Sequence, residues 1–427
     1  MADFLPLGFE MDKALHYMQE SGISSIILTS PENIFYVTGY PLIPSAGNPI
    51  LHTLTNQFPV ALCVDSKGRT MLACWLVSTL GAQFGVDDLL LYLDRSGAEV
   101  ELRKIVDHVA GQIYGSASAG SDIGDADTDG IDAGVTQSDE KMTDEVVVGR
   151  VGADEASINE IQTSEAKIGI ESTCPYYLTS MLEAAGITNS RLVEIDDLML
   201  DLRTVKSTRE IFALEESIHI VEQAVSELFG VLHVGMSRLE LIRRAKEIMA
   251  GHGASGISHV TVSFGRENPE VAIDEILEPD RLVTLDLGAF YNGYASDNRR
   301  YAYTGQPPRE LLDTQQLMVG IVDQVGQSLM PGVTEGEVFQ LAVDLFGEHG
   351  LDPFFDHVGH HIGLQTEERW ILRESKRVLQ PGMVINVELY TPVEGIDFVG
   401  NEETFVIEKG GSRRISRLSR DIVLLGT

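Results

Sequence analysis

Residues Leu285–Asp297 read LDLGAFYNGYASD. Asn-Gly between two apolar runs is a strong short-range signal for a β-hairpin closed by a two-residue type I′ turn. Such a turn at Asn292-Gly293 pairs Tyr291 with Tyr294 and sets Asp297 opposite Gly288. Asp286 then shares that face and lies diagonal to Asp297, about 7–8 Å away at the backbone. Carboxylates in a buried strand are costly unless something positive sits between them. Two carboxylates leaning together at that separation can share a metal pair about 3.5–4 Å wide. Solvent-facing aspartates would carry the same letters, so the rest of the chain has to decide.

Residues Ile385–Ile407 make the same kind of statement in INVELYTPVEGIDFVGNEETFVI. A turn centred on Gly395 puts Glu388 and Glu402 face to face among apolar strand residues. Two facing glutamates repel unless one is protonated or a cation lies between them. Residues Asp356–Leu364, DHVGHHIGL, add His360 in an apolar segment. On its own a histidine there reads as a core residue. Beside the two hairpins, the set Asp286, Asp297, His360, Glu388 and Glu402 is what a dinuclear hard-metal site requires.

The bulk properties exclude several classes. The chain has 427 residues, more than one ordinary compact domain, and a formal net charge of −34. That balance argues against nucleic acid or an anionic membrane as partner, since both need a basic patch. Arginine outnumbers lysine among the bases, and the acidity reads either as adaptation to high salt or as an ordinary acidic enzyme. Three cysteines without a CxxC spacing (Cys63, Cys74, Cys174) point to a reducing compartment. The first residues lack a signal-peptide pattern, and no stretch approaches about 18 uninterrupted apolar residues, so a cytoplasmic location is expected.

Along the chain, a helix is expected at 11–22, a buried strand at SSIILTS, a loop and short apolar segment at PENIFYVTGY, and strands at FPVALCVD and RTMLACW. From about 115 to 161 the sequence turns to Gly, Ser, Ala and Asp and reads as a mobile surface insertion. Its DADTDG run lacks the late glutamate and flanking helices of a calcium loop. Order returns at KIGIES, and a long amphipathic helix opens after Ser207 or Thr208 with Glu210 in its first turn. The expected organisation is α/β (α+β), with an N-terminal domain over 1–204 and a second domain over 205–427.

These residues together resemble the creatinase / prolidase / Xaa-Pro aminopeptidase family. PENIFYVTGY is similar to the family's N-terminal-domain signature and LRTVKSTREI to the start of its catalytic domain. LDLGAFYNGYASDNRR, GHHIGL, LQPGMVINVE and NEETFVI follow in family order. The resemblance implies a creatinase-like α/β domain followed by a pita-bread catalytic domain. It implies that Asp286 chelates the first metal, Asp297 and Glu402 bridge, His360 and Glu388 hold the second, and Glu388 shuttles a proton. It further implies two divalent ions (manganese, or cobalt, iron or zinc), a shared hydroxide that attacks a scissile amide, and a homodimer.

The chain also departs from the family pattern. Glu367 stands where family peptidases carry a second histidine, seven positions after the metal histidine. The stretch 263–286 lacks their histidine, Asp356 replaces another with His357 one step later, and Gly400 replaces an arginine. His357, His361, His259 and Arg266 are candidates to fill those roles, although His361 should point to the face opposite His360. Arg266, Glu267 and Asn268 sit where the family's substrate loop begins. The leading expectation is a metal-dependent hydrolase of the Xaa-Pro dipeptidase or aminopeptidase type. The alternatives are a relative acting on a small osmolyte-like substrate, as creatinase, ectoine hydrolase and a dimethylsulfoniopropionate lyase do on this fold, and a non-catalytic binding protein.

Overall fold

A computed structural model describes residues 3–4, 6–43, 45, 57–76, 83–115, 166–265, 273–353 and 356–425. The expected insertion falls outside the described residues from 116 onward, as do Arg266, Glu267 and Asn268.

The N-terminal part pairs β1 (Asp3–Phe4) with β5 (Gln83–Phe84) and builds a six-stranded mixed sheet. The sheet contains β2 (Ile23–Leu28), β3 (Ala61–Asp65), β4 (Thr70–Trp75), β6 (Asp88–Tyr92), β7 (Lys167–Ile170) and β8 (Leu192–Glu194), in the order β6-β4-β3-β2-β7-β8. Side chains alternate across a strand. Ile27, Cys63 and Ile168 therefore pack under the helices α3 (Arg95–Tyr114) and α4 (Tyr176–Ala184). Ile26, Leu28, Leu62 and Val64 face the other way, onto α1 (Met11–Glu20), α2 (Pro31–Thr38) and α5 (Asp196–Thr204).

α2 corrects the expectation of a loop at PENIFYVTGY. Ser30 caps it by accepting from Asn33 N, Pro31 opens its first turn, and Gly39 ends it at φ 73°. Each is a recognised boundary signal. The helix is short and almost wholly buried, so it lacks the polar stripe that marks amphipathic helices.

The C-terminal part consists of two sheets, each backed by two helices. β9 (Gly256–Ser263), β10 (Leu282–Tyr291), β11 (Tyr294–Ala295), β12 (Asn298–Thr304) and β18 (Val423–Leu425) form one. β13 (His357–His361), β14 (Arg369–Leu372), β15 (Val384–Val393), β16 (Asp397–Glu408) and β17 (Gly411–Arg414) form the other. Helices α6 (Thr208–Val231) and α7 (Arg238–Gly251) cover the first sheet, and α8 (Arg309–Ser328) and α9 (Glu335–Glu348) the second. Val283, Leu285, Leu287 and Ala289 of β10 turn toward α6 and α7. Ile385, Val387 and Leu389 of β15 turn toward α8 and α9. The residues between them, including Asp286 and Glu388, therefore face the space between the sheets. This is the pita-bread arrangement. No helix among the described residues is long and apolar enough to cross a membrane.

α6 begins where the sequence places it. Ser207 and Glu210 form a capping box, and Glu210 Oε1 also accepts from the Tyr294 hydroxyl at 2.9 Å, tying the helix start to the first hairpin. Nearby, the two parts of the chain are joined by a buried ion network. Glu368 accepts from Arg203 Nε at 3.0 Å and Lys206 Nζ at 2.9 Å, and from the backbone N–H of Leu364. Burial would raise the Glu368 carboxyl, but Arg203 and Lys206 outweigh it and hold it at about 2. A depressed folded value means the stabilisation is present above the unfolded value of about 4.3 and is lost as pH falls toward 2. Glu368→Gln leaves two buried cations short of a partner, so it should cost about 3–5 kcal/mol at neutral pH. Chemical denaturation as a function of pH checks this: the variant's stability should fall less than the wild type's between about pH 4.5 and 2.

Candidate metal centre

The two hairpins take the registers that their turns demand. Asn292 and Gly293 both have positive φ (49° and 86°), as a type I′ turn needs. Tyr291 pairs with Tyr294, Ser296 N–H donates to Ala289 O at 2.9 Å, and Asp286 pairs with Arg299. Asp297 occupies the short break between β11 and β12, opposite Gly288. In the second hairpin Glu388 faces Glu402 directly, and the pairing runs unbroken from Val384–Val406 to Val393–Asp397. β13 lies against β15 with His360 opposite Asn386. Strand pairing thus brings all five expected residues to one place.

His360 is fully buried, with Nε2 3.5 Å from Asp297 Oδ2 and 3.8 Å from Glu388 Oε1. Glu402 Oε1 accepts from Asn386 Nδ2 at 2.6 Å. Two atoms stand out: His360 Nε2 and Glu402 Oε2 are buried and have no hydrogen-bond partner. Leaving such groups unmet costs roughly 1–3 kcal/mol each, more for a charged one. Burial, then the charges of Asp297, Asp286 and Glu388, push the Glu402 carboxyl far above its usual range. One donor atom each from Asp297, His360 and Glu402 lie within 4.8 Å of one another, as do those of His259, Asp286 and Asp297. A carboxylate-rich set with imidazole, unmet atoms and mutual repulsion fits divalent cations.

Two residues beyond the five expected ligands border this site. Arg299 donates to Asp286 Oδ2 through Nη2 and through Nε at 3.0 Å, and its Nε is 4.0 Å from Glu402 Oε2. Its guanidinium lies 4.2 Å from the centroid of the Tyr390 ring. It lies two residues after Asp297 on the same strand face, a signal already present in the quoted motif. His259 was named only as one of several substitutes. Its Nε2 lies 3.0 Å from Asp286 Oδ1 and 3.2 Å from Asp297 Oδ1. Although burial opposes it, the two aspartates, Asp297 first, push the imidazole up to about 10. Placing His259 needs the pairing of β9 with β10, which shifts register between Gly288 and Ala289, and no local pattern reveals that.

The other candidates separate. His357 lies at the rim, with Nε2 3.5 Å from Glu388 Oε1 and Nδ1 2.6 Å from Asp356 Oδ1. Those two carboxylates raise its pKa against the effect of burial. Glu367 is exposed on the loop after β13. Partial desolvation raises its carboxyl, with His360 opposing and Glu388 and Asp297 reinforcing. His361 does not join the site, which corrects its candidacy as a catalytic residue. Strand alternation turns it away from His360 into the core, where Nε2 lies 2.8 Å from Glu335 Oε1. At Gly400, a Cβ would meet Leu389 O at 2.1 Å and the Tyr390 ring at 2.3 Å, so this backbone has no room for a side chain there.

Comparison with known proteins places the chain in a family. The model for metallopeptidase family M24 matches residues 213–409, and that for the creatinase/prolidase N-terminal domain matches residues 11–124. YqhT, an uncharacterized peptidase of Bacillus subtilis, is 31% identical over 267 residues, covering 61% of this chain and 75% of the relative. A Xaa-Pro dipeptidase of Pyrococcus horikoshii is 29% identical over 264 residues, covering 60% and 74%. The crystal structure of the prolidase from Pyrococcus horikoshii OT3 superimposes with a TM-score of 0.70 at 21% identity, covering 97% of this chain and 99% of that one, which speaks to the fold. The chain belongs to metallopeptidase family M24, with a creatinase/prolidase N-terminal domain ahead of its catalytic domain.

Proposed function

We propose that the protein is a metal-dependent hydrolase of the Xaa-Pro dipeptidase type. Asp286, Asp297, His360, Glu388 and Glu402 would hold two divalent cations, with manganese, cobalt, iron and zinc as candidates. The observation that carries this reading is the pair of buried, unmet atoms His360 Nε2 and Glu402 Oε2 inside a ring of carboxylates. When bound, such ions acidify a shared water toward neutrality and polarise a scissile carbonyl. Glu388 would hold and pass the proton: Oε2 accepts from the Tyr390 hydroxyl at 2.9 Å, so Oε1, which faces His357 and His360, is the atom that would take it. His357, 3.5 Å from that oxygen and paired with Asp356, is placed to hand the proton to the leaving amine.

The proline-dipeptide specificity rests on the relatives named Xaa-Pro dipeptidase. The exposed acid Glu367, near enough for His360, Glu388 and Asp297 to act on its carboxyl, supports a second reading, a cationic or zwitterionic small substrate. We place the division between the two parts at 204/205, and propose a homodimer acting in the cytoplasm.

Xaa-Pro dipeptide hydrolysis after manganese reconstitution, run at low and at molar salt, tests the proposal. Turnover that chelation abolishes is expected. Full metal occupancy without turnover overturns the peptide reading and favours the small-substrate one, and turnover indifferent to chelator overturns the metal mechanism. Asp297→Ala and Glu402→Ala should each lose both bound metal, read by elemental analysis, and activity. Glu367→His should raise kcat/KM for Xaa-Pro substrates about tenfold or more by restoring a proton donor; an unchanged value means the chemistry does not pass through this position.

A further inference from the structure

The first metal position has a donor that the family comparison does not assign. An aspartate that chelates an ion needs both oxygens, but here Arg299 occupies Asp286 Oδ2 with two N–H groups. This grip follows from the register, since Asp286 and Arg299 are direct cross-strand partners. Arg299 has no uncharged alternative at any working pH, so Asp286 turns a single oxygen, Oδ1, toward the ion. A chelating aspartate would fill two coordination places; this one would fill one and leave the other open.

His259 Nε2 stands at that place. It lies 3.0 Å from Asp286 Oδ1 and 3.2 Å from Asp297 Oδ1. Donor atoms in neighbouring positions around an ion with bonds of about 2.0–2.1 Å lie about 3 Å apart, so His259 Nε2 already has coordination-shell spacing from both carboxylate oxygens. One N–H can point along only one of the two directions, whereas an ion satisfies all three atoms at once. Two local features hold the ring there. His259 packs over Gly288, where a Cβ would come within 2.5 Å of the imidazole. Its Nδ1 lies 3.3 Å from Ser258 Oγ, which leaves Nε2 for the site.

We propose that His259 Nε2 is a sixth protein ligand, binding the ion held by Asp286, Asp297 and Glu402, with Asp286 as a one-oxygen ligand. The inference rests on the dinuclear reading above. It gives each ion one imidazole, His259 on the first and His360 on the second, in place of one all-oxygen and one mixed site. Imidazole favours cobalt, iron and zinc over manganese, so the first site should discriminate against manganese.

X-ray absorption at the cobalt edge of wild-type protein carrying two cobalt ions tests this without depending on activity. The proposal requires an average of one imidazole per cobalt, and His259→Gln should bring it to one half. In titrations of apo protein, His259→Gln should weaken one of the two cobalt equivalents roughly 10–100-fold and narrow its preference over manganese. Two bound cobalts with half an imidazole each in the wild type overturn the proposal and leave the dinuclear reading standing. Fewer than two cobalts in the wild type overturn the dinuclear reading itself, and the sixth ligand with it. The wild-type spectrum decides even if the variant folds poorly.

Discussion

The structure depends on one electrostatic constraint: Asp286, Asp297, Glu388 and Glu402 lie together in a largely water-excluded space between two sheets. Four carboxylates cannot all stay ionised there without positive charge among them. Without an ion, protein cations supply part of it, through Arg299 on Asp286 and a protonated His259 between the two aspartates. Arg299 Nε comes only to 4.0 Å of Glu402 Oε2, and neither that atom nor His360 Nε2 has a hydrogen-bond partner. The supply is uneven, with Asp286 gripped by both Arg299 and His259.

The fold can tolerate such a cluster because the apolar work is done elsewhere. Odd-numbered residues of β10 and β15 bury themselves under α6 to α9, so the even-numbered faces are free for chemistry. Adjacent positions divide the same way. His360 faces the carboxylates Asp297 and Glu388, while His361 is spent on the buried pair with Glu335. The Glu368 network does for the joint between the two parts what the carboxylates and their cations do for the site: buried opposite charges fix a geometry.

What could be read in the sequence was what local chemistry fixes. Asn292-Gly293 and Gly395 set the hairpin registers, and registers alone place Glu388 opposite Glu402 and Asp286 near Asp297. Ser207 and Glu210 announced the start of α6, and strand alternation already turned His361 away. Three things were less visible. α2 hid because a short helix buried nearly all round has no polar stripe, although Ser30, Pro31 and Gly39 bracket it. His259, 27 residues before Asp286, reaches the site only through the non-local pairing of β9 with β10. Arg299 was within reach, two residues past Asp297, but a basic residue beside a metal ligand reads as solvent-facing until its strand partner is known.

The departures from the family pattern then acquire a physical context. Gly400 lacks the family's arginine, and the space its side chain would need is filled by Tyr390 and the backbone of Leu389. A guanidinium stacks on that same Tyr390, but it comes from Arg299 on the neighbouring sheet. The most direct test of the metal centre is anomalous diffraction from crystals grown with cobalt. The account predicts two peaks, one among Asp297, His360, Glu388 and Glu402, the other beside Asp286 and Asp297. No anomalous peak between the sheets, with the carboxylates neutralised by Arg299 and His259 alone, would contradict it.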